Sequence, residues 1–107
     1  MALIKVGHTT EIPEGEARRF DVADTQVCVV NLGEAGFRAI GDLCTHAQSW
    51  LSDGDVDIDD ETVECPLHGS TFDLNTGAVR ALPATIPEPV YPVKIEGDDL
   101  LIEVTTQ

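Results

Sequence analysis

The sequence has little positive charge and no long hydrophobic segment. Only six of its 107 residues are Lys or Arg, whereas 20 are Asp or Glu, which gives a net charge of −14. Such a surface repels nucleic acid and anionic membranes and favours a basic protein patch as partner. The longest apolar run, residues 27–30, is far shorter than the roughly 18 residues that suggest a membrane span. The N-terminus shows no export signal. We therefore expect a protein of the cytoplasm with no membrane partner.

Cysteine and histidine are also scarce, with three of each. An odd number of cysteines does not indicate a disulfide framework. Cys28 lies in the apolar run, where we predict a buried thiol. The other two cysteines each precede a histidine closely, in Cys44-Thr45-His46 and in Cys65-Pro66-Leu67-His68, with 18 residues between the two pairs. Both segments are short and rich in turn residues, so they predict two loops that converge on one metal centre.

Two thiolates and two imidazoles fit two kinds of metal centre. In a [2Fe–2S] cluster the thiolates can hold one iron and the imidazoles the other. The same four side chains can instead hold one tetrahedral zinc, which would make the protein a zinc-stabilised binding module. The two differ in colour and in their content of iron and sulfide.

The order of these motifs resembles the Rieske ferredoxin family. Cys-x-His is followed by a spacer, by Cys-Pro-x-His-Gly and by the turn Phe72-Asp73-Leu74-Asn75-Thr76-Gly77, and the likeness extends over nearly the whole chain. The resemblance implies one Rieske-type [2Fe–2S] cluster. Its implied ligands are Cys44, His46, Cys65 and His68.

After these ligands are assigned, His8 is the only histidine left. A mononuclear iron oxygenase site needs two His and a carboxylate, and the chain also lacks the G-x-G-x-x-G fingerprint of nicotinamide and flavin sites. We therefore expect an electron carrier and not an enzyme. The resemblance implies a ferredoxin component of an aromatic-ring-hydroxylating dioxygenase system. As a monomer, it would dock transiently with an NAD(P)H-dependent flavoprotein reductase and a terminal Rieske oxygenase. A small nitrite reductase subunit and a ferredoxin of iron–sulfur assembly remain alternatives.

The resemblance also predicts a low reduction potential. Ser49 and Leu67 stand where respiratory members of the family have disulfide cysteines. Phe72 stands where they have a Tyr whose hydroxyl donates to a cysteine sulfur, whereas Ser70 is retained as a possible donor. Because fewer donors to sulfur stabilise the reduced centre less, we expect a potential of about −150 mV, near the lower end of the Rieske range.

The rest of the chain predicts strands, and no window has a helical stripe. The predicted strands are 3–6, 18–22, 26–32, 37–40, 55–59, 62–64, 70–74, 78–82, 93–95 and 100–105. Four prolines between residues 83 and 92 predict an extended, stiff segment. The acidic stretch 53–64 predicts a solvated strand face that can also steer docking.

These strands predict an all-β fold, and the resemblance implies the Rieske fold. We expect one domain over residues 1–107. It would consist of an antiparallel β scaffold with a small cluster-binding subdomain, at about residues 42–82, inserted in it.

Overall fold

A computed structural model describes residues 2–22, 25–45, 48–67, 69–82 and 84–104. Within these residues the chain forms eleven strands and three short 3₁₀ helices, and all strand pairs are antiparallel. The predicted all-β fold is therefore confirmed. No helix in the described part of the chain is long and apolar enough to cross a membrane.

The strands agree closely with the sequence prediction, although the turn at residues 23–24 and the predicted strand end at Thr105 lie outside the described residues. They are β1 (Ala2–His8), β2 (Ala17–Val22), β3 (Thr25–Asn31), β4 (Phe37–Gly41), β5 (Asp55–Asp57), β6 (Thr62–Glu64), β7 (Thr71–Asp73), β8 (Val79–Ala81), β9 (Val90–Tyr91), β10 (Val93–Glu96) and β11 (Asp99–Val104). The 3₁₀ helices are Thr9–Glu11, Gly33–Ala35 and Leu51–Asp53.

Three sheets are formed by these strands. Their strand orders are β1-β11-β10, β2-β3-β4-β9 and β5-β6-β7-β8. The first two sheets combine strands from both ends of the chain. The third consists of four consecutive strands that lie between β4 and β9 in the sequence.

The sheet that contains β3 lies between the other two sheets. Cys28 and Val30 pack into a core that includes side chains of β6 and β7, whereas Val27 and Val29 pack into a core that includes side chains of β11. Because successive side chains of a strand point to opposite faces, a strand covered on both faces needs the apolar run seen at 27–30. The first of these cores, which we call the site core, consists of Ala17, Cys28, Val30, Leu32, Ile40, Cys44, Leu51, Val63, Cys65, Phe72, Leu74 and Ala84.

Strand β9 lies in the proline-rich segment, where the sequence predicts extended chain without strand pairing. Its two residues pair with β4, Val90 with Ile40 and Tyr91 with Ala39. Proline removes a backbone donor, so it is compatible with the edge of a sheet but not with its interior. Pro89 and Pro92 flank β9 and keep it short.

The acidic stretch is a strand only over Asp55–Asp57, and a turn follows at residues 58–61. Val56 and Ile58 nevertheless both pack against the site core, while the Asp side chains between them are exposed. The predicted solvated acidic face is therefore confirmed, although its strand is shorter than expected.

Candidate metal centre

The first predicted ligand loop follows β4 and is closed at its base. Leu43 and Trp50 form a β-bridge, and the Cys44 amide N–H donates to the carbonyl oxygen of Ser49 at 2.8 Å. The Cys44 side chain is buried. His46 falls between the closing residues in the sequence, but it lies outside the described residues.

The second predicted ligand loop joins β6 to β7. Here the Cys65 amide N–H donates to the carbonyl oxygen of Ser70 at 2.7 Å, and the Gly69 N–H donates to the carbonyl oxygen of Cys65 at 3.0 Å. Gly69 has a φ of +78°, a left-handed conformation that favours glycine. The Cys65 side chain is buried, and His68 lies outside the described residues.

The two loops are therefore closed by equivalent hydrogen bonds. In each loop the cysteine amide donates to the carbonyl oxygen of the residue five positions later. Both cysteine side chains belong to the site core, so the structure brings the two predicted sulfur donors to one buried region from separate loops. In the sequence, each loop also contains one histidine between its closing residues. This donor set fits a cluster held by two thiolates and two imidazoles.

The segment 82–89, which we call the connector, is bonded to both ligand loops. The Thr45 hydroxyl donates to the Ile86 carbonyl oxygen at 2.6 Å. The Ala84 N–H donates to the buried Ser70 hydroxyl at 3.0 Å. Pro83 lies outside the described residues. Because prolines stiffen the connector, these bonds restrain both loops against one common element.

The turn after β7 supports the connector from the other side. Gly77 has a φ of +76°, and a Cβ atom there would collide with the backbone carbonyl of Glu88. The Glu88 N–H donates to the Gly77 carbonyl oxygen at 2.8 Å. Only glycine satisfies both the backbone conformation and the close approach, which gives a physical reason for the final residue of the Phe-Asp-x-x-Thr-Gly turn.

Asp73 organises the same turn. Its carboxylate accepts the N–H groups of Asn75 at 2.8 Å and Thr76 at 3.1 Å, and it forms an ion pair with Arg80 at 2.9 Å. Partial burial raises the pKa of Asp73, but these hydrogen bonds and the guanidinium charge together outweigh it and lower the pKa from its ordinary value.

A buried carboxyl at the base of the first ligand loop was not expected from the sequence. Asp42 accepts the backbone N–H of Ser52 at 2.7 Å and the Ser52 hydroxyl at 3.0 Å, and Arg19 lies 3.9 Å away. Burial raises the pKa of Asp42, although the Ser52 bonds and the Arg19 charge oppose this effect. The Arg19 guanidinium also lies 4.6 Å from the centre of the Trp50 ring, in cation–π contact.

Glu88 is a second buried carboxyl that the sequence did not indicate, because it lies between two prolines in a segment that reads as exposed. Its Oε2 atom has no hydrogen-bond partner among the described residues. Burial raises the pKa of Glu88 to about 7, the negative charge of Asp42 adds to the effect, and a hydrogen bond from the Thr45 amide opposes it.

The remaining cysteine and histidine lie apart from the ligand loops. Cys28 is fully buried in β3, which confirms the predicted core thiol. Burial, followed by the charges of Asp42 and Glu88, raises the pKa of the Cys28 thiol well above its ordinary value. His8 ends β1, and its Nδ1 atom lies 3.7 Å from Asp99 of β11.

Comparison with known proteins identifies relatives of this chain. The ferredoxin subunit of 3-phenylpropionate/cinnamic acid dioxygenase from Escherichia coli (strain K12) is 45% identical over 94 residues, which cover 88% of this chain and 86% of the relative. Among solved structures, the ferredoxin of carbazole 1,9a-dioxygenase from Nocardioides aromaticivorans IC177 is 33% identical and superimposes with a TM-score of 0.89, covering 95% of this chain and 97% of that chain.

A third similar structure is a complex of reduced oxygenase and oxidized ferredoxin in carbazole 1,9a-dioxygenase. The matching chain is 31% identical, with a TM-score of 0.84 over 94% of this chain and 91% of that chain. The Rieske [2Fe–2S] domain family matches residues 2–92, a range that contains both ligand loops and the connector. The chain therefore belongs to the Rieske [2Fe–2S] domain family, whose cofactor is a [2Fe–2S] cluster.

Proposed function

We propose that Cys44, His46, Cys65 and His68 hold one [2Fe–2S] cluster. The observation that carries this proposal is the pair of buried cysteines at the bases of two equivalently closed loops, each of which contains a histidine in its sequence. Membership of the Rieske family favours this cluster over the single zinc that the four side chains alone would permit.

The proposed ligands set the charge at the centre. Two thiolates and two neutral imidazoles contribute two negative charges fewer than four thiolates would, which favours the uptake of an electron. When bound, the cluster would supply a one-electron redox couple. Ser70 accepts the Ala84 N–H through its hydroxyl oxygen, so its hydroxyl hydrogen remains available to a sulfur acceptor. Phe72 is fully buried and has no hydroxyl to donate. A potential near −150 mV follows from this short supply of donors (about the lower end of the Rieske range).

On this basis the protein is an electron carrier of an aromatic-ring dioxygenase system. It takes one electron at a time from an NAD(P)H-dependent flavoprotein reductase and delivers it to a terminal Rieske oxygenase. Relatives between 31% and 45% identical are named as dioxygenase ferredoxins, and one of them was solved with its oxygenase. These relatives favour this role over nitrite reduction and over iron–sulfur assembly. The carrier has no catalytic site of its own.

We also propose that the chain is one domain and works as a monomer in the cytoplasm. The cluster-binding subdomain would span about residues 42–82, inserted in the β scaffold. The third sheet supports this division, because its four strands are consecutive and lie within that range. The strongly acidic composition supports transient, salt-sensitive docking with basic partners.

Visible and electron-paramagnetic-resonance spectra test the proposed cofactor. Purified protein should be brown-red and contain two irons and two sulfides per chain, and dithionite should produce the signal of a reduced cluster. The carrier role is tested by adding reductase, NADH and oxygenase, where substrate turnover should require this protein. Colourless, zinc-containing material would contradict the ligand proposal, and turnover that is independent of the protein would contradict the carrier role.

A further inference from the structure

Several of the largest exposed apolar side chains lie at the two ligand loops. Leu43, Leu67, Leu82 and Ile86 are between 49% and 73% exposed. We call these four side chains the apolar collar. Grouped exposed apolar side chains of this size are typical of interaction sites, whereas single ones are ordinary on any protein surface.

The first ligand loop carries one part of the apolar collar. Leu43 directly precedes Cys44, and the two side chains differ sharply in burial, with Leu43 49% exposed and Cys44 3% exposed. Ile86 is held beside the same loop by the hydrogen bond from the Thr45 hydroxyl to its carbonyl oxygen.

The second ligand loop carries the other part. Leu67 lies two residues after Cys65 and is exposed within the loop. Leu82 directly follows Ala81, which pairs with Thr71 at the point where the second loop ends. The register therefore places Leu82 beside this loop. It is the most exposed member of the apolar collar.

Charge is missing from the segments that form this end of the molecule. The sequence segments 43–52, 65–72 and 81–87 contain no Asp, Glu, Lys or Arg, although the whole chain has 20 acidic and six basic residues. Exposed acids begin just outside them, at Asp53 and Glu64. The carboxyl groups of Asp42 and Glu88, which lie nearer, are buried. The uncharged end is thus bordered by acids.

We infer that the apolar collar is the contact surface for the terminal oxygenase, and that the matching oxygenase surface is apolar at its centre with basic side chains only around it. This inference rests on the proposed function. Long-range attraction to the charge of −14 would raise the rate of encounter, whereas apolar contact would hold the docked complex. Salt should then slow association and leave the docked contact itself largely intact.

Electron delivery measured against ferredoxin concentration tests this inference. The probe is the oxygenase component of the Escherichia coli 3-phenylpropionate/cinnamic acid dioxygenase, whose ferredoxin is 45% identical to this chain. Leu82→Ser should raise the KM for ferredoxin about tenfold and leave kcat unchanged, because truncating a central apolar contact weakens binding by roughly that factor. Leu82→Met should restore the wild-type KM. The matched control is Ile95→Ser, since Ile95 is 42% exposed on β10 in another sheet.

Each outcome separates the alternatives. Equal KM values for Leu82→Ser and Ile95→Ser, at equal cluster content in the visible spectrum, would overturn the inference. A wild-type protein that forms dimers in sedimentation, and that Leu82→Ser converts to monomers, would overturn it in favour of self-association. A wild-type protein that delivers no electrons to the oxygenase would overturn the proposed function itself.

Discussion

Replacing Glu88 by Gln should stabilise the protein, and only above neutral pH. Burial raises the pKa of Glu88 from the 4.5 of an ordinary glutamate to about 7. The folded state therefore holds the carboxyl proton more tightly than the unfolded state does. Between pH 4.5 and 7 the unfolded state loses this proton first, so the free energy of unfolding falls as the pH rises. Above pH 7 the full cost of a buried charge remains.

The size of this cost follows from the two pKa values. One pKa unit corresponds to about 1.4 kcal/mol, so the difference between 4.5 and about 7 destabilises the folded protein by about 3 kcal/mol above pH 7. Glu88 is only 5% exposed, so water screens this cost little. Glu88→Gln has no charge at any pH and keeps an oxygen that can accept the Thr45 amide. The variant should match the wild type at pH 4.5 and gain about 3 kcal/mol at pH 8.

Thermal unfolding of the cluster-loaded protein, followed by circular dichroism at several pH values, measures this difference. For a domain of this size, about 3 kcal/mol corresponds to a rise of about 10 °C or more in Tm. Glu34→Gln is the control, because Glu34 is an exposed side chain on a 3₁₀ helix and its replacement should change Tm little at any pH. A Tm difference between Glu88→Gln and wild type that is the same at pH 4.5 and pH 8 would refute the reasoning.

Three further predictions concern the turn, the connector and the cluster. Gly97→Ala should cost about 1 to 2 kcal/mol from its left-handed backbone alone, while Gly77→Ala should cost at least about 1 kcal/mol more, because its Cβ atom also meets the connector; equal losses in Tm would contradict this. Ser70→Ala leaves the buried Ala84 N–H without its acceptor and should cost about 1 to 3 kcal/mol, whereas the same change at Ser49, which is partly exposed to water, should cost less; chemical denaturation compares them. Protein-film voltammetry at pH 7 should give about −150 mV, and a value above about +100 mV would contradict the low-potential prediction.

Local sequence patterns predicted the strands and the two cysteine-bearing loops. The apolar run at 27–30 indicated a strand buried on both faces, and β3 does pack into two cores. The Cys-x-His and Cys-Pro-x-His-Gly motifs, each within a few residues, indicated where two sulfur donors would meet. Such patterns are readable because every residue that matters lies close in the sequence.

Long-range contacts were not readable in the same way. The bond between Thr45 and Ile86 joins residues 41 positions apart, and no local pattern marks either of them. Asp42 and Glu88 look like surface acids in the sequence, since carboxylates are seldom buried. Their burial depends on how the connector crosses the first ligand loop, and that crossing is a property of the folded chain.

The ligand assignment is tested most directly by pulsed electron-paramagnetic-resonance of the dithionite-reduced protein after ¹⁵N labelling of histidine. We predict nitrogen couplings from two coordinated imidazoles per chain. His46→Cys or His68→Cys should each remove one of them, and His8→Ala should remove neither. A reduced cluster without any histidine nitrogen coupling, or with couplings that survive both ligand substitutions, would contradict the central claim that Cys44, His46, Cys65 and His68 hold the electron-carrying cluster.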